Sequence, residues 1–285
     1  MEPEVLSFTI PIESNKIVFV WNITAQLSEG EIYFSLLKVF SQFGPLYSLK
    51  LLPNAGVAEP GYYAVLKYFS SRSAKKAHAA CDRKSLFQDS PLKVQVCSRQ
   101  KQFPYKSLEL YGHKCQEVAN YYLGFNGWSK RIIALQNISG LDCDAEEAAS
   151  PQEQSKLRYL CVVEVTIHGH DIHSRGVGVA EETIEKQKDC AEFLSKNAKV
   201  QKFAVQKALS KAFQKILLIV FDSEKVAVEY VSDEDDAVDC LTEEELQGLI
   251  QVNDFTWAPM DFGEGDDEET LANLTFHEAS ITDGD

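Results

Sequence analysis

The sequence predicts an α+β protein: a βαββαβ module, a second α+β module, and an acidic, disordered carboxy-terminal tail. Three observations predict it. From residue 16 to about 98, apolar positions switch between the period of a strand and that of a helix. From 112 to 230, a short amphipathic helix, two apolar strands and a long lysine-rich helix follow one another. From 231 onward there are 18 Asp and Glu and no Lys or Arg. The resulting organisation is a leader at 1–15, the first module at 16–100, a linker at 101–111 that contains Pro104, the second module at 112–230, and the tail at 231–285.

In the first module, residues 17–23 (IVFVWNI) are β-branched and aromatic, as a buried strand should be. Period two places Val18, Val20 and Asn22 on one face and Phe19 and Trp21 on the other. A helix follows, with Ser28 as N-cap, Glu31 at the capping-box position, and Ile32, Leu36, Val39, Phe40 and Phe43 as its apolar stripe. Gly44-Pro45 ends it. Residues 46–52 read as the second strand, 62–69 as the third, 71 to about 84 as an alanine-rich helix, and 92–96 as the fourth strand. In the third strand Tyr62, Ala64, Leu66 and Tyr68 share one face, and Tyr63, Val65 and Lys67 the other. With helices over Val18, Val20, Ala64 and Leu66, an open sheet face displays Phe19, Trp21 and Tyr63 beside Lys67 and Lys93. Aromatic rings suit unstacked bases and amines suit phosphate, so this face is a candidate nucleic-acid platform.

In the second module, Val118, Tyr121, Tyr122 and Phe125 mark a short amphipathic helix that Gly124 and Asn126-Gly127 end. Residues 140–155 read as a solvated acidic loop, 157–167 (LRYLCVVEVTI) as a strand, 168–174 as its turn, 176–180 as a second strand, and 194–215 as a helix. Projected at about 100° per residue, Val205, Ala208, Leu209, Ala212, Phe213 and Ile216 fall on one side of that helix. Lys196, Lys199, Lys207 and Lys211 fall roughly opposite, and no acidic residue occurs from 196 to 218. The stripe reads either as a solvated face or as a phosphate-facing surface.

Charge and composition bound the function. The 285 residues suffice for roughly two domains, and 45% of them are hydrophobic. The formal net charge of −15 divides into −18 for the tail and +3 for residues 1–230, so it does not count against nucleic acid. Seven cysteines, an odd number without close pairs, point to reduced thiols. The acidic amino terminus lacks a secretory signal, and no window reaches the ~18 apolar residues of a membrane span. No membrane partner is expected.

No catalytic constellation is expected either. The histidines of HGHDIH at 168–173 lack metal-ligand spacing, no phosphate-binding glycine loop for ATP occurs, and His113 with Cys115 lacks an orienting third group. Enzyme activity, cofactor and metal are all expected to be absent. Short apolar islands in the tail, such as 255–260 (FTWAPM), suit folding onto a protein partner, and the tail's charge suits competition with DNA for the lysine stripe.

Family resemblance adds to this reading. VFVWNI at 18–23 and GYYAVLKY at 61–68 resemble the two ribonucleoprotein motifs of the RNA-recognition-motif (RRM) family, which has a ferredoxin-like fold. The resemblance puts Phe19 and Tyr63 at stacking positions. Gly61 stands where the family has a basic residue and Val65 where it has a second stacking aromatic, departures that weaken RNA affinity. H-K-x-x-x-x-A-N-x-x-x-G-F-N-G-W-S at 113–129 resembles the strand-annealing domain of the recombination mediator Rad fifty-two, as do 157–167, GVGVAEE at 176–182 and KALSKAF at 207–213. That resemblance implies DNA-backbone contact by Lys114, Phe125 in place of a tyrosine, Lys207 and Lys211 along the DNA groove, and homo-oligomer formation as an option. The resulting expectation is a non-enzymatic protein that binds single-stranded DNA and RNA, with duplex DNA as a further candidate ligand. It would serve DNA repair, recombination and the damage response in the nucleus, nucleolus and cytoplasm. The rival reading is an adaptor whose RRM sheet and tail bind proteins.

Overall fold

The first strand of the chain lies in the second module and not in a free leader. The computed structural model describes residues 3–56, 59–98, 108–139, 155–184, 190–223, 225–231 and 237–248. These belong to one unit spanning 1–250. After β1 (Glu4–Ser7) comes the first module: β2 (Ile17–Thr24), α1 (Glu29–Phe40), β3 (Leu46–Pro53), β4 (Gly61–Tyr68), α2 (Ser71–Cys81) and β5 (Lys93–Val96). The order is the expected βαββαβ, and the antiparallel sheet runs β3-β4-β2-β5.

Local signals set these elements. Ser28 and Glu31 form the capping box, with the Ser28 N–H donating to the Glu31 carboxylate at 2.9 Å. Val18, Val20, Ala64, Leu66 and Val94 bury against Ile32, Leu36, Phe40, Ala74 and Ala77, so both helices cover one sheet face. Asn22 is not on that face, contrary to strict alternation. A bulge shifts the register between Val20 and Ile23, Asn22 adopts a φ of 63°, and Ile23 is buried in its stead. The Asn22 amide donates to the Pro91 carbonyl at 2.7 Å, which anchors the bulge. α2 also stops earlier than 84, because Asp82 turns its carboxylate to accept from the Val94 N–H at 2.9 Å.

The second module contains α3 (Gly112–Leu123), β6 (Trp128–Asn137), β7 (Ser155–Ile167), β8 (Ile172–Ile184), α4 (Cys190–Gln214), β9 (Ile216–Val220) and β10 (Val226–Tyr230). β6-β7-β8 form one antiparallel sheet and β1-β9-β10 another. β6 escapes the sequence reading because its register shifts between Ile132 and Ala134, which breaks the period of two. β8 is longer than 176–180 and pairs along its whole length with β7. α4 lies on the inner face of this sheet. A Cβ at Gly176 or Gly178 would fall 2.2–2.3 Å from α4 backbone atoms of Ala204, Ala208 and Ala212. The glycines of GVGV are thus a close-packing device.

Three expected boundaries are corrected. β1, placed in the leader, pairs with β9, and Leu6 and Phe8 are buried in the second core with Phe8 against Phe213 at 4.7 Å. Leu110, placed in the linker, is also fully buried there, and Thr9 bridges Glu109. The tail has folded elements: a 3-10 turn (Ala237–Cys240) and α5 (Glu243–Gln247) carry Leu246 into a third apolar cluster with Ile133, Ala134 and Val162. Thr242 and Glu245 cap α5 reciprocally. Residues 99–107, 140–154 and 249–285 lie outside the described residues. Among the described residues, no helix is long and apolar enough to cross a membrane.

The modules meet at the amino end of α2. The Glu4 carboxylate accepts from the Ser71 N–H at 2.6 Å, the Ser70 hydroxyl at 2.5 Å and the Ser71 hydroxyl at 2.8 Å. Arg72 donates to the Val220 carbonyl at 3.0 Å and pairs with Asp222 at 3.0 Å. Burial pushes the Glu4 carboxyl up, but these hydrogen bonds outweigh it and hold the group below the usual carboxylate range. A carboxyl depressed by folding stabilises above its unfolded pKa, and that stability is lost as pH falls through the folded value. Glu4→Gln should therefore lower stability by about 1–2 kcal/mol at pH 7, and the gap to wild type should shrink in acid, as read by urea denaturation.

Candidate nucleic-acid interface

The sheet face opposite α1 and α2 is built by register. Phe19 lies opposite Val65 and Gln95, Trp21 opposite Lys93, Val65 opposite Lys50, and Tyr63 opposite Leu52. The Phe19 and Trp21 rings stack nearly parallel, with centroids 5.6 Å apart. Lys67 Nζ sits 5.6 Å over the Tyr47 ring. Burial, and then the ammonium of Lys50, push the Lys67 pKa down. Two ammonium groups held close together favour an anion between them. The expected residues Phe19, Trp21, Tyr63, Lys67 and Lys93 therefore do share one face. Lys50 and Gln95 join them. Lys50 was legible in the alternation of Leu49, Lys50 and Leu51, although the sequence reading did not single it out.

The G-F-N-G-W run divides into structural and exposed residues. α3 ends at Gly124, whose φ of 81° favours glycine. The Trp128 indole N–H donates to the Asn120 side chain at 2.8 Å, and the ring packs edge-on to Phe213 at 5.3 Å. The His168 N–H donates to the Gly127 carbonyl at 3.1 Å. Phe125 is left at the tip, 84% exposed, above a shallow cleft lined by Gln116, Asn126, Lys130 and His168. Lys130 Nζ donates to Gln116 at 3.2 Å. Lys114 instead pairs with Glu117 at 2.6 Å on its own helix and is not among the residues lining that cleft.

The lysine stripe of α4 meets carboxylates from its own first turn and from elsewhere in the chain. Lys196 pairs with Glu192 at 2.9 Å, Lys199 with Glu182 at 3.0 Å, and Lys211 with Glu109 at 3.6 Å. Lys207 donates to the Val179 carbonyl at 2.9 Å. Folding brings in carboxylates from β8 and from residue 109, which a single-helix projection cannot see. Exposed pairs of this kind contribute about 0–1 kcal/mol, so phosphate can replace the carboxylates. Two carboxylates among the tail's described residues go elsewhere than the stripe: Asp239 holds Lys215 at 2.6 Å and Glu243 holds Arg131 at 2.6 Å. Cys115, next but one to His113, is fully buried, and burial pushes its thiol up to about 12, so no thiolate is available near neutral pH.

A family model described as RNA recognition motif matches residues 18–92, and one described as RDM1 DSRM domain matches 110–217. The helix, three strands and helix from α3 to α4 occupy the second match. The chain is 48% identical to RAD52 motif-containing protein 1 of Gallus gallus, over 95% of each chain, and 41% identical to that of Danio rerio, over 94% of this chain and 95% of that one. It is 47% identical to the Homo sapiens protein of the same name over 89% of this chain and 90% of that one. Among solved structures, the Mip6 RRM3 domain is 23% identical and covers 30% of this chain and 98% of its own, with a TM-score of 0.25.

The two halves of the G-F-N-G-W run should separate on substitution. Asn120→Ala leaves the Trp128 indole N–H without its acceptor and should lower stability by roughly 1–3 kcal/mol in chemical denaturation. Phe125→Ala should change stability by no more than about 0.5 kcal/mol.

Proposed function

The chain belongs to the RAD52 motif-containing protein 1 family, and from that membership and the geometry above we propose a non-enzymatic protein that binds single-stranded DNA and RNA. Its two matched domains are of nucleic-acid-binding types. The observation that carries the reading is the open RRM sheet, where Phe19, Trp21 and Tyr63 share a face with Lys50, Lys67 and Lys93. Bases would stack on the rings, at ~1–3 kcal/mol each, while the ammonium groups meet phosphates. The absence of an aromatic at Val65 limits the platform and favours sequence-tolerant binding over base-edge readout.

The second module supplies a second surface in this proposal. Lys207 and Lys211, with Lys196 and Lys199 further along α4, would meet the phosphates of a single strand or a duplex. Phe125 and Lys130 would contact a base and its phosphate at the end of α3. The family name, together with the likeness of 113–129 to a strand-annealing domain, supports a role in DNA repair and recombination, within the nucleus and cytoplasm.

Binding to a labelled oligonucleotide should weaken steeply as salt rises, because phosphate contacts release counterions. Phe19→Ala with Tyr63→Ala should weaken single-stranded RNA binding by a few kcal/mol, at ~1–3 for each base that loses its platform. Lys207→Glu with Lys211→Glu should weaken all sequences alike and flatten the salt slope; unchanged affinity would leave α4 a solvated face.

A further inference from the structure

Residues 237–248 pack on the outer face of the β6-β7-β8 sheet. Its strands align a charged row, Arg131, Glu164 and Arg175, beside an apolar row, Ala134, Val162 and Val177. Glu164 is buried between the two guanidinium groups at 2.9 Å from each. One carboxylate serves two guanidinium groups, and Lys215 adds a third, largely buried cation nearby. The surface therefore presents an apolar strip flanked by more positive than negative charge.

Residues 237–248 answer each part of it. Asp239 accepts from the Arg175 N–H at 2.7 Å and from Lys215 at 2.6 Å, and also meets the Tyr230 hydroxyl. The Leu241 carbonyl takes the Arg175 guanidinium, and Glu243 takes Arg131 at 2.6 Å. Val238, Leu241 and Leu246 lie on the apolar strip, and Leu246 is fully buried. The surface is thus complementary to a spaced pattern of acid, leucine, acid and leucine. The occupant is weakly self-supporting: α5 has five residues, too short to hold as a helix without the surface even with its capping box. A segment ordered only by its receptor can be displaced by a second segment of the same chemistry.

We propose that this face is a docking site for acidic amphipathic segments of partner proteins with the spacing D-x-L-x-E-x-x-L, and that residues 237–248 occupy it in cis until such a segment displaces them. The proposal does not rest on nucleic-acid binding, and the two can fail separately.

The test is a fluorescent peptide of residues 237–248 titrated into the full chain by anisotropy. Leu246→Asp and, separately, Glu243→Arg should open the site, and each opened chain should bind the peptide at least tenfold more tightly than wild type. Glu243→Arg changes an exposed side chain, so it opens the site without removing a core residue. Arg131→Glu in the Leu246→Asp chain should abolish binding, and a peptide carrying Glu243→Arg should restore it. Equal binding to wild type and both opened chains, or binding to none of them, would overturn the proposal. So would an opened face that takes a single-stranded oligonucleotide through Arg131 and leaves the peptide unbound.

Discussion

The arrangement depends on one carboxylate at one helix end. The first turn of α2 presents backbone donors that the helix itself cannot satisfy, and Glu4 accepts from them. Because Glu4 opens β1, and β1 is the edge of the β9-β10 sheet, the same side chain that caps a helix of the RRM ties it to the second module. The junction uses the amino end of α2, with Phe69 buried in the second core and Tyr47 of β3 packed against it. The opposite sheet face keeps Trp21, Lys50, Lys93 and Gln95 exposed. A stable union of two modules and an open platform are thus compatible, since they lie on different faces.

The legible parts of the sequence are those whose cause is local. The RRM strands follow from period two, α1 from its capping box, and the tight contact of β8 with α4 has its trace in two alternate glycines. What was missed has non-local causes. β1 is four residues long, and nothing in EVLS identifies β9, more than two hundred residues away, as its partner. The bulge at Asn22 replaces one core side chain by the next and needs the Pro91 carbonyl to hold it. The short helix at Glu243–Gln247 is hidden by the tail's composition, although Thr242 and Glu245 carry a capping signal. The platform itself was legible because both motifs keep strict alternation on either side of the bulge.

Charge acquires a different meaning once folded. The −15 of the whole chain first separates into an acidic tail and a near-neutral body. Lys196, Lys199 and Lys211 of α4 are balanced by Glu192 of the same helix, Glu182 and Glu109, and Arg131, Arg175 and Lys215 by Glu164 of the body with Asp239 and Glu243 of the tail. Burial raises the Glu164 carboxyl, yet the two guanidinium groups outweigh it and hold it below the usual range. On the RRM sheet Lys50, Lys67 and Lys93 have no carboxylate within ion-pair distance among the described residues, and they stand beside aromatic rings. That combination of bare cations and ring faces distinguishes the platform from the other basic surfaces.

The central claim is that bases stack on that platform, and Trp21 reports on it from within. The chain has three tryptophans, so a Trp21→Phe chain isolates the Trp21 contribution to the emission. On titration with a single-stranded oligonucleotide at low salt, the account predicts saturable quenching of the Trp21 component, released by added salt. Saturating oligonucleotide with Trp21 emission unchanged would contradict it.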